Sequence, residues 1–162
     1  MINNIVNNQH ENRIHNIHLG LFPMSFNGCE VIAVHNALLL MGIDSDLEKL
    51  VAKFKKNHLV ILFGLFGSRV KKLHRVFHAP VNVNIINRKN KDTAFFKDGV
   101  YIISFWNTNP PFHGIHTVTM QVKNSQFFTY NLYSNTPSPM NISPSVFAGK
   151  RFIIGYSLKF HP

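Results

Sequence analysis

At Pro80 the hydrophobic rhythm of the chain changes. Before it, apolar residues recur at the three-to-four spacing of helices. After it, they alternate or run in short β-branched and aromatic stretches. Helices first and strands afterwards exclude a βαβ architecture and predict an α+β fold with an antiparallel sheet.

The helical part is explicit. From Gly28 to Met41 the chain reads GCEVIAVHNALLLM, with Val31, Ile32, Val34, Leu38, Leu39 and Met41 nearly surrounding the axis. Such a helix must be buried on most sides, and Gly42 is a natural stop. Ser45 with Glu48 three positions later fits a capping box for a second helix, whose buried stripe is Leu47, Leu50, Val51 and Phe54. A third helix is expected after Ser68, with Val70, Leu73 and Phe77 inward and Arg69, Lys71, Lys72 and Arg75 outward.

Beyond Pro80, residues 81–86, 100–106, 116–122, 126–133 and 151–158 read as strands. Lys123-Asn124-Ser125 makes a hairpin connection, and residues 134–149, with three prolines, read as a loop. Residues 1–20 are polar and Asn-rich, an arm that either frays or lies across the rest. Residues 21–162 are expected to form a single domain.

Composition narrows the function classes. Hydrophobic residues make up 45% and charged residues 15%, so disorder is not expected. One cysteine rules out an internal disulfide, and neither a secretory signal nor a membrane-spanning run is visible. The expected location is cytoplasmic. The net charge of +10 is unevenly placed: between Lys49 and Lys91 stand eleven Lys or Arg residues and no Asp or Glu. That segment, 49–91, suits an anionic partner such as nucleic acid, an anionic membrane surface or an acidic peptide, or it is a solvated face. With no second Cys, no H-E-x-x-H and no Asp-rich loop, neither a metal nor a cofactor is expected.

Cys29 stands at the start of the buried helix, directly after Asn27-Gly28. The positive end of the helix dipole and nearby free N–H groups favour a thiolate there, and the same N–H groups suit an oxyanion. A nucleophile so placed needs a base from elsewhere. His116 opens a strand after Gly114-Ile115, and Asn131 ends the paired strand fifteen residues on, at the same end of the sheet. Cys29, His116 and Asn131 thus follow the chain order of a Cys–His–Asn triad. His113, three residues before His116, is a competing base. His35 is expected to be a satisfied, half-buried histidine. In Gly64-Leu-Phe-Gly67-Ser68 the two glycines suit hydrogen bonds to an extended peptide.

The stretches NGCEVIAVHNALLLMG and GIHTVTMQVKNSQFFTYNLYS resemble the two halves of the papain-like cysteine peptidase pattern. They are closest to the compact bacterial branch of double-glycine leader peptidases, over roughly residues 20–135. The resemblance implies a papain-like fold and hydrolysis of a peptide or related amide or thioester bond. It implies Cys29 as nucleophile, His116 as base and Asn131 as orienting residue. Asn27, with Gly28, Gly64 and Gly67, would serve the oxyanion and a peptide or protein substrate. Three positions depart from the pattern: Pro23 where a Gln is usual, Glu30 where a small residue follows the nucleophile, and Asn131 where Asp is commoner. The departures leave open a catalytically idle relative that binds a partner, and acyl transfer would use the same residues as hydrolysis.

Overall fold

The computed structural model describes residues 4–95, 97–107, 114–133 and 139–160. A small hairpin, β1 (His18–Leu19) and β2 (Phe22–Pro23), runs through one turn of helix, α1 (Met24–Asn27), into α2 (Cys29–Leu40). Then comes α3 (Leu47–Lys56), followed by 3₁₀ turns at Leu62–Gly64 and Val70–Val76. The second half holds β3 (Val81–Ile86), α4 (Lys91–Ala94), β4 (Gly99–Trp106), β5 (Ile115–Lys123), β6 (Gln126–Tyr130), α5 (Pro144–Phe147) and β7 (Phe152–Phe160). The large sheet runs β3-β7-β4-β5-β6, with every pair antiparallel. The fold is therefore mixed helix and antiparallel sheet, in the order the period change predicts.

Both faces of the sheet are covered, because its central strand has apolar side chains on both sides. On one face, Val100 and Ile102 of β4 and Ile154, Tyr156 and Leu158 of β7 join a cluster with Val31, Ile32 and Val34 of α2 and Phe54 of α3. On the other, Tyr101, Ile103 and Phe105 pack with Val118 and Met120 of β5, Phe147 of α5 and Phe152. Ile32 and Phe54 are both fully enclosed; each burial contributes about 1.5–3 kcal/mol.

α2 is sunk into this core from Cys29 to Ala37, and its polar residues tie down the N-terminal segment. Asn36 donates from Nδ2 to Val6 O at 2.7 Å and accepts the Val6 N–H at 2.9 Å. His35 bonds Ser45 Oγ at 2.9 Å and Asn4 O at 3.1 Å. Val6, Ile14 and Leu19 enter the same cluster as α2, so the described part of the arm lies across the domain and completes its core.

Three local departures have physical causes. Ser45 does not cap α3; its hydroxyl goes to His35, and Asp46 accepts the Lys49 N–H at 2.9 Å instead. The segment after Ser68 winds as a 3₁₀ turn rather than an α-helix, so Val76 joins Val70 and Leu73 three apart on its inner side, and Phe77 just beyond is buried as expected. β6 stops at Tyr130 because Asn131 turns to φ 57°, outside the extended region.

Candidate active site

Cys29 is placed by a tight join between two helices. Gly28 allows that join, since a Cβ there would lie 2.6 Å from Met24 Sδ and 2.7 Å from Met24 O. The thiol reaches the beginning of β5 and donates to Ile115 O over 3.9 Å, a long contact even for sulfur. It is only 5% exposed. Burial, and after it the Glu30 charge, push the thiol pKa well above its ordinary value; the Thr117 backbone N–H acts the other way and is outweighed. Cys29 therefore rests here as a protonated thiol, not as the thiolate its helix-start position predicts.

Glu30 explains part of this. Its carboxyl is buried, and burial raises its pKa to about 7 against the opposing influence of its own backbone N–H, Ser68 and the Cys29 thiol. Around it the polar atoms are poorly served. Glu30 Oε2, Ser68 Oγ and both amide atoms of Asn27 are buried without reaching hydrogen-bond geometry with any described group. Gly67, at φ 62°, closes over the group: a Cβ there would lie 3.2 Å from Glu30 Oε2 and 3.4 Å from Asn27 O.

His116 and Asn131 do meet at one end of the sheet. The imidazole Nε2–H donates to Asn131 O at 2.7 Å, so the main-chain carbonyl accepts rather than the side-chain amide. The Asn131 N–H in turn donates to Asn7 Oδ1 at 3.0 Å, while its Nδ2 is buried without a partner. Burial lowers the His116 pKa, and the carbonyls of Asn131 and Leu132 oppose the shift. The neutral ring stands edge-on to Phe105, 5.7 Å between centroids. It lines an open cavity of about 500 Å³ with Gln9, His10, Asn107, Asn131 and Arg151.

The structure brings Cys29 to β5 but does not join it to His116. Alternate residues of a strand point to opposite faces. Thr119 bonds Ala33 O of α2 at 2.8 Å, which assigns the odd-numbered face to the helix. His116 is paired with Phe105, whose ring belongs to the cluster on the other face. Thiol and imidazole thus take separate partners, Ile115 O and Asn131 O. The nucleophile–base contact expected from the sequence is absent, because strand register turns the imidazole away from α2.

The glycines also differ from expectation. The Gly64 N–H donates to Ile61 O at 2.9 Å and the Gly67 N–H to Gly64 O at 3.2 Å, so neither is open to a peptide. Gly64 instead permits a backbone crossing, since a Cβ there would lie 1.8 Å from Leu19 O. Asn27 and Gly67 do converge with Cys29, but around Glu30. His113 lies outside the described residues. Among the described residues, no group of three or more His, Cys, Asp or Glu could hold a metal ion. Ser68 and the cavity residues His10 and Arg151 had no distinguishing sequence signal. Glu30 did, as the carboxylate next to the cysteine.

No protein-family model matches the chain, and no curated protein matches it either.

Proposed function

We propose that the protein is a thiol hydrolase of peptide or related acyl bonds, in a resting arrangement with thiol and imidazole disengaged. The observation that supports this reading is convergence. Cys29 from α2 contacts Ile115, the residue next to His116, and His116 is held by Asn131, although the thiol and its contact are 86 positions apart in sequence. In the working arrangement the start of β5 turns over, so that the imidazole leaves the Asn131 carbonyl, comes to the α2 side of the sheet and takes the thiol proton. Sγ attacks the acyl carbon, and the Asn27 amide, already buried and unpartnered, donates to the oxyanion. His116 then protonates the leaving group, and water releases the acyl group from sulfur. Glu30 has to be protonated in that arrangement, because an anionic carboxyl opposes the thiolate.

The test is the pH–rate profile for alkylation of the single cysteine by iodoacetamide, followed by intact mass, in wild type and His116→Ala. Labelling that persists well below the free-thiol pKa and is lost in the variant supports a Cys29–His116 pair. A substrate found afterwards must lose turnover completely in Cys29→Ala.

One observation favours a second reading, a non-catalytic domain that binds a peptide or protein partner. The thiol pKa is raised, with the Glu30 carboxyl beside it and the His116 imidazole on the opposite sheet face. Slow labelling with the same profile in both proteins selects this reading.

A further inference from the structure

The segment from Ile61 to Gly67 is pinched off by a bridge between Val60 and Ser68, with Arg69 N–H donating to Leu59 O at 2.9 Å just behind it. What the pinch presents to solvent is apolar. Phe63 is 75% exposed, Phe66 65% and Leu62 61%. The turn of the β1–β2 hairpin lies against this loop, with Leu21 N–H donating to Phe63 O at 2.8 Å, and Leu21 is itself 75% exposed. Phe26 of α1, stacked on Phe22, adds a fifth exposed side chain. Single exposed apolar residues need no explanation, but four on two hydrogen-bonded tips, with Phe26 on the helical turn that follows the hairpin, make an apolar surface of the kind that marks an interaction.

The loop is held in shape. Leu62 and Phe63 both sit at positive φ, 43° and 54°, in a backbone conformation that bulky residues rarely adopt. The backbones of Gly20 and Gly64 cross so closely that neither tolerates a Cβ. Two large apolar residues in strained backbone on an exposed tip give nothing to the core, so their placement is explained only by what they meet outside.

Charge identifies the occupant. The neck of the loop is basic on both sides, with exposed Lys55, Lys56 and His58 before it and exposed Arg69 and Lys71 after it. No acidic residue occurs anywhere from 49 to 91. The Asp44–Glu48 acids sit at the opposite end of α3, whose ten residues put them about 15 Å away along the axis. An apolar tip with a cationic collar, the Glu30 carboxyl being buried behind Gly67, matches the boundary between acyl chains and anionic headgroups. We propose that loop 61–67, with Leu21 and Phe26, docks this protein on an anionic membrane surface. The apolar tip enters the interface, and Lys55, Lys56 and Arg69 engage the headgroups. No helix of the described residues is long and apolar enough to cross a membrane, so this is attachment at the surface. The inference does not depend on the hydrolase reading.

The test is co-sedimentation with vesicles of phosphatidylcholine alone and of phosphatidylcholine with 30% phosphatidylglycerol. Wild type, Phe63→Ser/Phe66→Ser and Lys55→Gln/Lys56→Gln/Arg69→Gln are compared at low and high salt. Expected are binding to the anionic vesicles at least tenfold tighter than to neutral ones, and a loss of at least tenfold in each variant. All the substituted side chains are solvent-facing, and far-UV circular dichroism verifies that the variants are folded. Three results would overturn the proposal. One is no vesicle binding by wild type, whether or not it binds a poly(U) RNA. Another is vesicle binding unchanged in Phe63→Ser/Phe66→Ser. The last is a dimer in sedimentation velocity that this double variant dissolves and vesicles do not displace, which would assign the patch to a second copy of the chain.

Discussion

The thiol and imidazole halves of the candidate site are built to different standards. Around His116 one buried polar atom, Asn131 Nδ2, lacks a partner; the ring donates to Asn131 O at 2.7 Å, and Asn131 N–H donates to Asn7 at 3.0 Å. Around Cys29 more are short of partners. Glu30 Oε2, Ser68 Oγ and both Asn27 amide atoms are buried short of hydrogen-bond geometry, and the Glu30 pKa has risen to about 7 although its own backbone N–H, Ser68 and the Cys29 thiol hold it down. An unmade hydrogen bond on a buried polar group costs about 1–3 kcal/mol, so this arrangement is expensive in the resting state. The imidazole half is close to a structural minimum. The thiol half keeps donors and acceptors idle, which is where a ligand or a rearrangement has most to gain.

The largest effect separating the halves is expected from Glu30→Gln. Glu30 has a folded pKa of about 7 against an ordinary value of 4.5, so between these values the folded state binds more protons than the unfolded chain. Its contribution to stability is thus fully present below about pH 4.5 and declines as pH rises toward 7. Gln cannot ionise and removes that decline. At pH 8 the variant should be more stable than wild type by on the order of 2 kcal/mol, or roughly 4–8 °C in Tm, with the difference vanishing near pH 4. Thermal melts of both proteins from pH 4 to 8 measure this. The reverse order at pH 8 would mean that the carboxylate is well served and the contrast between the two halves is false. Loss of the Glu30 charge also removes one cause of the raised Cys29 pKa, so alkylation at pH 8 should quicken.

A smaller effect is expected from Asn27→Leu. Neither amide atom of Asn27 has a partner, so replacing the amide by an apolar group of similar size leaves no new orphan. Chemical denaturation should give a gain of about 1 kcal/mol. If Asn27 donates to an oxyanion, turnover of a verified substrate should fall while stability rises, a pairing that a structural role does not produce.

The elements were readable because their signals are local; the pairing across the site was not. Residues 81–86 alternate in the sequence and form β3 over those same positions. The Lys123-Asn124-Ser125 turn is where Asn124 and Ser125 take φ 52° and 62°, as a tight hairpin requires. β1, β2 and α4, at two to four residues, were too short to carry a period. The orientation of His116 was hidden for a different reason. In HTVTMQV the even positions after His116 are apolar and the odd ones polar, yet it is the odd face that packs on α2, through Thr119 and Ala33. Both faces of β5 are covered, so alternation alone does not say which layer each face meets. Glu30 posed the opposite problem: its identity was conspicuous, but its effect depends on Ser68 and Gly67, brought beside it only by the fold.

The smallest expected change is the most discriminating for the imidazole half. Asn131 sits at φ 57°, where Asn is tolerated and Gly is at ease. It holds His116 through its main-chain carbonyl, which Gly retains. Asn131→Gly should therefore alter stability by less than about 0.5 kcal/mol, because relief at positive φ offsets the extra freedom of the unfolded chain. The His116 pKa, followed by NMR, should stay below its ordinary value, since burial is its main cause. A large loss of stability would mean that the side-chain amide, whose Nδ2 is unpartnered in this structure, carries the contact after all. Unchanged stability with a loss of Cys29-dependent turnover would locate the amide's role in the working arrangement, where the imidazole has left the carbonyl and needs another acceptor.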